Sequence, residues 1–485
     1  MHHMTFAKSL LLGTAALISA ASLAQAADLP VAKAAPVDYV RVCDWTGAGF
    51  FYIPGTDTCI SIGAQVRIEG VFISNSRTLA PVGTATNAAN RIIVPARDRD
   101  ESGFLARVRL GVDTRTQTAY GTLRAFIQYQ IDRVQGTYAE GGLSGGASTI
   151  TNSGGNNATL RRGFIQFAGI TAGRVQSFFD FYADNYNYEG IANSDLAQNV
   201  LAYTYQVGGG LSATFSIEDR NARNLSAQGL GYITGGTQAT TSSVRYAGET
   251  IPDLVGVLRY DQAWGSAQLS AAYHEIQAES GPFAGTGGQG FSGQDADGFA
   301  VQGGVRLKLP MLAAGDDLWV EGAYQNGAYL YQDSAYYINQ GFSSAYLGGF
   351  QHIDRDAIAI RTPGTANGAF TLQKGEGFSV MAAFNHYFTP NFHDVIFGSY
   401  EQTSYGRAGR IDWTQGGLGF AEQYKIGNQF LWDPAKNLEF GLEFDYAKIN
   451  QTLAHNVNQA ATALPVGVSK NPDAFEARLR VERDF

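Results

Sequence analysis

The chain is poor in several things that most proteins of its length depend on. Among 485 residues there are 13 proline, 4 methionine and 2 cysteine residues. Beyond the first twenty-six positions no stretch reaches the roughly eighteen consecutive apolar residues of a membrane-crossing helix, which excludes helical spans. Positive charge is also scarce: 34 Lys and Arg against 43 Asp and Glu leave a net charge of −9, which argues against nucleic acid as a partner. Cys43 and Cys59, too few and too widely spaced for a zinc site, could form one disulfide. An oxidising compartment favours that bond over two free thiols. Histidine is thin as well. Outside His2 and His3 there are His274, His352, His386, His393 and His455, none beside a G-x-S-x-G nucleophile motif.

What the chain has instead is 59 glycine, 29 phenylalanine and 25 tyrosine residues, a profile of strands, tight turns and aromatic girdles. Mean hydropathy is −0.13. That value suits a strand protein that shows lipid only every second residue. At the N-terminus Lys8 precedes an apolar run from Leu10 to Leu23 and then Ala24-Gln25-Ala26. We read residues 1–26 as a secretory signal with Ala27 as the mature start, residues 27–59 as a periplasmic N-terminal segment, and 60–485 as the main domain.

One grammar recurs through that domain. In 60–72, Ile60, Ile62, Ala64, Val66 and Ile68 oppose Ser61, Gln65, Arg67 and Glu69. In 104–115, Ala106, Val108, Leu110 and Val112 oppose Arg107, Arg109, Asp113 and Arg115. Similar alternation marks 122–130 and 438–446, and the final segment, where Phe475, Ala477, Leu479 and Val481 oppose Glu476, Arg478, Arg480 and Glu482 before the terminal Phe485. An apolar row without charge beside a polar row fits a wall with lipid on one face and water on the other. Further segments near 159–168, 170–178, 199–206, 211–219, 254–262, 266–277, 297–309, 317–327, 376–388, 391–402 and 419–430 bring the count to sixteen. Short links at 116–118, 208–210, 389–391 and 433–437 alternate with long ones at 73–103, 132–158, 220–253 and 328–375. The expectation is an all-β, antiparallel transmembrane barrel in a bacterial outer membrane, wide enough for an aqueous lumen.

Residues 179–198 differ from the other, Gly- and Ser-rich connections. They are aromatic and acidic, and carry Asp180, Asp184, Glu189 and Asp195. The inward rows of nearby strands carry the opposite sign: Arg67, Arg107, Arg109, Arg124, Arg162 and Arg174, with Arg478 and Arg480 on the last strand. Arginines facing carboxylates across water create a transverse field that orients dipolar solutes. The bland alternative is that each arginine simply pairs within a polar lumen. Net acidity and the acidic loop lead us to expect cation preference.

Val42-Cys43-Asp44, then Gly47-Ala48-Gly49-Phe50-Phe51-Tyr52-Ile53-Pro54-Gly55-Thr56-Asp57-Thr58-Cys59, resembles the N-terminal signature of alphaproteobacterial porins of the Brucella and Rhizobium type. The Ala27-Asp28-Leu29-Pro30 start, Arg161 to Ala168, Thr171 to Arg174 and the terminal Phe485 are similar to theirs as well. The resemblance implies a sixteen-stranded general-diffusion porin, a homotrimer, with its third extracellular loop folded inward as a constriction. Residues 179–198 take that loop's place. The acidic role then falls to Asp180, Asp184, Glu189 and Asp195, and the basic role to Arg67, Arg107, Arg109, Arg124, Arg162 and Arg174. Phe485 takes the place of the terminal aromatic read by the barrel-assembly machinery. Arg483 departs from the pattern, since an apolar residue is usual there. The expected partners are outer-membrane lipid and lipopolysaccharide, that machinery, further copies of the chain and small hydrophilic solutes; no cofactor is implied.

Three other readings compete. A barrel enzyme lacks its catalytic constellation, and a plugged receptor lacks room for a plug before the first strand. A channel on the same fold selective for sugars or small anions is the third, and a sugar channel could use Tyr182, Tyr186 and Tyr188 as a stacking surface. Asp295-Ala296-Asp297-Gly298 lacks the further ligands of a calcium loop and is expected to lead into the tenth strand.

Overall fold

Strict two-residue alternation commits a segment to a sheet with two unlike faces, and in lipid such a sheet must close on itself because no backbone group can be left unpaired. The structure, a computed structural model, describes residues 41–74, 77–81, 91–95, 101–136, 156–223, 231–233, 244–248, 250–280, 292–334, 356–361, 370–405, 418–453 and 473–485. The signal segment 1–26, Ala27, His352, His455 and most of 328–375 lie outside them.

Sixteen strands build the wall: β1 (Thr58–Ile73), β2 (Ser102–Thr118), β3 (Gly121–Gly136), β4 (Asn156–Phe167), β5 (Ile170–Gln176), β6 (Ala197–Gly208), β7 (Leu211–Glu218), β8 (Asp253–Gln262), β9 (Gly265–Ser280), β10 (Ser292–Lys308), β11 (Asp317–Asn326), β12 (Glu376–Thr389), β13 (Phe392–Ser404), β14 (Leu418–Ala435), β15 (Leu438–Leu453) and β16 (Asp473–Asp484). Each pairs antiparallel with the next. The ring closes where β1 meets β16, with Ile68 opposite Val481 and Glu69 opposite Arg480. Phe485 finishes the seam: its N–H donates to the Ala64 carbonyl at 2.9 Å and its carbonyl accepts from the Ala64 N–H at 2.7 Å.

The strands outrun several of the expected links. β2 continues through Thr118 and β14 through Ala435, so the turns shrink to Ala119-Tyr120 and Lys436-Asn437. Asn437 takes the left-handed conformation (φ +60°) that such a tight turn needs. The 295–298 segment lies within β10 rather than before it, and Asp297 accepts from the Tyr273 hydroxyl at 2.7 Å. Short turns gather on one rim and long connections on the other. Within the long connections, Arg77–Pro81 pairs with Arg91–Pro95, and Gly231–Ile233, Ala357–Arg361 and Phe370–Lys374 form a small separate sheet.

The outward rows are apolar and exposed, Leu110, Ile127, Leu201, Ile426 and Leu479 among them, as lipid contact requires. Arg483 belongs to the outward row of β16 without any slip of register, opposite Val66 and Leu438. It sits at the short-turn rim, where its guanidinium donates to the Lys436 carbonyl at 2.9 Å. Residues 41–52 form a separate small unit in which Val42 bridges Phe51. Both cysteines of the chain, Cys43 and Cys59, are disulfide-bonded and neither is free.

Candidate functional site

Between β5 and β6 the chain turns into the lumen instead of outward, and its backbone is held there by side chains of the far wall. The Phe179 carbonyl accepts from Gln268, Ser270 and Gln302 of β9 and β10. Tyr182 N–H donates to Glu321 of β11 at 2.9 Å, and Ala192 N–H to Ser399 of β13 at 3.0 Å. Lys425 of β14 donates to the Gly190 carbonyl at 2.6 Å, and Glu443 of β15 accepts from the N–H groups of Tyr188 and Glu189 at 2.7 and 2.8 Å. Phe181, Tyr182, Tyr188 and Ile191 pack on inward Trp319, Met381, Ala383, Val395, Phe397 and Leu431. This part of the lumen wall is therefore apolar because a loop lies on it. Two glycines make room: a side chain at Gly304 would strike the Phe181 ring, and one at Gly441 the Tyr188 hydroxyl.

The four acidic residues of the loop have separate fates. Asp180 is buried and takes no part in lining the open lumen. It accepts from Ser194, Gln176 and the Leu196 N–H and is paired with fully buried Arg223 at 3.2 Å. Glu189 is likewise turned into the wall, where Arg478 holds it at 2.7 Å. Asp184 and Asp195 do line the lumen. Asp184 sits in a left-handed turn (φ +47°) and accepts from Asn187 at 2.9 Å. Burial, with help from the Asp195 charge, holds its carboxyl well above the usual carboxylate range, while the Asn187 hydrogen bond opposes that rise. Burial also pushes Asp195 up to about 6. Asp180 adds to that rise, while the Gln176 hydrogen bond and the Arg161 and Arg162 guanidiniums oppose it.

Across the water stands the wall of β1 to β4. Arg67, Arg107, Arg109, Arg161 and Arg162 border a cavity of about 1060 Å³ together with Asp184 and Asp195. Arg67 is paired with Glu482, and Arg107 with Asp132 through two bonds of 2.8 and 3.0 Å. Arg109 reaches only neutral groups, Gln130 at 2.7 Å and Gln65 at 3.1 Å. Arg162 donates to Gln176 at 3.2 Å. Arg124 lies outside the residues bordering this cavity; it binds Asp113 and Gln166 and rests on the rings of Phe126 and Phe164.

Arg174 is not brought to the lumen. Register sets it opposite Gly163 and Asn199, in the row of Ala172, whose partners Ile165 and Leu201 are exposed outward. Arg161 takes the place expected of Arg174, through a bulge between Gln128 and Tyr129 that inserts one extra residue in β4. The signal was present as a doubled arginine that breaks the alternation. A second inward segment also went unforeseen: Tyr329 to Ser334 is buried, with Tyr331 edge-on to Phe179 at 4.7 Å and bonded to Asp253 at 2.7 Å.

A closed sixteen-stranded barrel with an inward loop is the architecture of a passive channel, and sequence comparison identifies its kind: the porin subfamily model matches residues 28–471. The chain belongs to the porin subfamily. It is 30% identical over 383 residues to porin Omp2b of Brucella suis biovar 1 (strain 1330), covering 76% of this chain and 89% of that one. To porin Omp2b of Brucella neotomae it is 29% identical over the same shares. Among solved structures the outer membrane channel DcaP of Acinetobacter baumannii shares the fold, with a TM-score of 0.53 at 15% identity, over 90% of this chain and 99% of that one. This porin is an integral outer-membrane protein and a passive diffusion channel. Among the described residues no group of three or more His, Cys, Asp or Glu is placed to hold a metal.

Proposed function

We propose that the porin is a general-diffusion pore for small hydrophilic solutes whose constriction is formed by residues 177–196 against the arginine wall of β1 to β4. One observation carries the reading: the loop lies inside the barrel, backed against β9 to β16, and leaves its open side facing Arg109, Arg161 and Arg162. Within that constriction Asp195 is the carboxylate that sets charge. Asp180 and Glu189 act as fasteners, and burial disfavours the charged form of Asp184. The local excess is then positive, which supports anion preference, the reverse of what net acidity suggests.

The aromatic side chains favour general over sugar-selective passage. Of the three loop tyrosines, Tyr182 and Tyr188 are buried between the loop and the wall, and Arg480 covers the Tyr188 ring at 3.4 Å; half-buried Tyr186, whose hydroxyl is tied to Asp317 at 2.6 Å, is left as a single ring rather than a stacking row. Family membership supports a homotrimer, and the terminal Phe485 seam supports recognition by assembly machinery. Contact with lipopolysaccharide at the long-connection rim follows from the outer-membrane setting.

Reversal potentials in planar bilayers under a KCl gradient test the reading. Ohmic openings that favour chloride are expected, with the preference increased in Asp195→Asn and changed less in Asp184→Asn. Equal insensitivity of the reversal potential to both changes would remove the loop from the constriction.

A further inference from the structure

Seven arginines border the cavity, and most are spoken for. Arg67, Arg107, Arg478 and Arg480 each have a carboxylate partner. Arg109, Arg161 and Arg162 have none within ion-pair distance among the described residues, and two of them bond only to neutral side-chain oxygens. Register brings these three together: Arg109 lies opposite Gln130, Gln130 opposite Thr159, and the bulge turns both Arg161 and Arg162 inward just beyond. A guanidinium keeps its charge at any working pH, and its planar fork matches the spacing of two oxygens on one oxyanion. Three such forks on one wall, still wet, form a cradle for negative charge rather than a structural ion pair.

We infer that Arg109, Arg161 and Arg162 form an oxyanion-binding subsite that holds a sulfate- or phosphate-type dianion during passage. The inference rests on the constriction reading above and names the solute class that its wall selects. Asp195 stands beside the subsite and competes with the ligand for the same arginines. The Arg162–Gln176–Asp195 chain of hydrogen bonds, 3.2 and 2.7 Å, shows how closely it is tied in. A dianion is thus taken best when that carboxyl is neutral, and released more readily when it ionises.

Sulfate is the suitable probe, because it stays divalent across the range in which Asp195 titrates. Single-channel chloride current is recorded in KCl with increasing potassium sulfate on one side. Saturable block is expected for the wild type, with half-block shifted to about tenfold higher sulfate in Arg109→Gln/Arg161→Gln, the loss of charge-assisted hydrogen bonds being worth about that factor. Arg115→Gln removes a positive charge farther along β2 and should leave the half-blocking concentration within about twofold. Asp195→Asn should strengthen block at neutral pH and abolish its pH dependence. Far-UV circular dichroism of each variant establishes the barrel.

Block by inorganic phosphate with the same arginine dependence extends the class to phosphate groups, while block by sulfate alone narrows the subsite to an oxyanion that carries no proton, since arginine offers donors only. Conducting wild type whose current changes only linearly with sulfate, or equal block in the arginine variant, overturns the subsite and leaves the porin reading intact. Folded protein that passes no current overturns the porin reading itself.

Discussion

Asp195 and Arg223 show how differently two ionisable residues of one fold behave. Asp195 carries its charge into water, and its raised value of about 6 fixes the sign of its pH effects. A carboxyl raised in the folded state favours folding below the ordinary carboxylate range, and that advantage is lost as pH rises through the folded value. In transport the same titration removes a repelling charge at low pH. Chloride preference should be highest near pH 5 and decline as pH rises through about 6; reversal potentials taken across this range check it, and a flat profile in the wild type would remove Asp195 from control. Arg223 is fully buried instead. It donates to the Leu330 carbonyl at 2.7 Å and to Ser194 at 3.0 Å, pairs with Asp180 and covers the Tyr331 ring at 3.7 Å. Arg223→Met strands a buried carboxylate, which typically costs about 3–5 kcal/mol. Because the strand ladder is untouched, the loss should appear as local release of residues 177–196. Faster proteolysis there within a barrel that stays folded is expected, and equal protection would contradict the latch.

At the scale of elements, the inward loop and its wall are one design. Strand periodicity predicts a polar lumen, yet Met381, Val395, Phe397 and Leu431 face inward, since the loop covers them. Their burial against Phe181 and Tyr188 fastens the loop, and Gly441 supplies the gap into which Tyr188 fits. Gly441→Val should drive Tyr188 off the wall and push the loop into the lumen. A fall in single-channel conductance, with the barrel intact, is the expected result; unchanged conductance would show that the loop yields elsewhere. Bulges act at this scale too. The single extra residue between β3 and β4 decides that Arg161 faces water, and the register of β5 against β6 decides that Arg174 does not. Alternation read along one strand cannot see either event, because both depend on what the neighbouring strand does.

For the molecule as a whole, stability rests on closure and on keeping charge off the lipid side. Leu110 lies at the middle of β2 on the outward row and is half exposed to the space where lipid belongs. Leu110→Arg should destabilise the barrel by about 2–4 kcal/mol in reversible unfolding from bilayers, the cost of an arginine at midplane depth. A neutral result would place that strand out of the membrane centre. The closing seam, from Ile68 opposite Val481 to the Phe485 bonds with Ala64, joins residues more than four hundred positions apart, so the last strand is what completes a wall without edges.

Much of this was legible along the chain. Sixteen segments, their inward and outward rows, the sorting of long and short connections and the special composition of 179–198 all follow from alternation and turn chemistry, which are local. That Cys43 and Cys59 are both disulfide-bonded could be anticipated but not established, since two cysteines permit a bond without compelling it. What only the tertiary structure decided is which charges are free. Asp180 and Glu189 look like Asp195 in sequence, but Arg223, from the turn after β7, and Arg478, from β16, reach them and turn them into fasteners. Arg109, Arg161 and Arg162 look like Arg67 and Arg107, but no carboxylate among the described residues comes within ion-pair distance of them, Asp195 reaching Arg162 only through Gln176. Pairing across a barrel is set by the closure and stagger of sixteen strands, and a charge in a lumen acts on solutes only where that geometry leaves it unpaired.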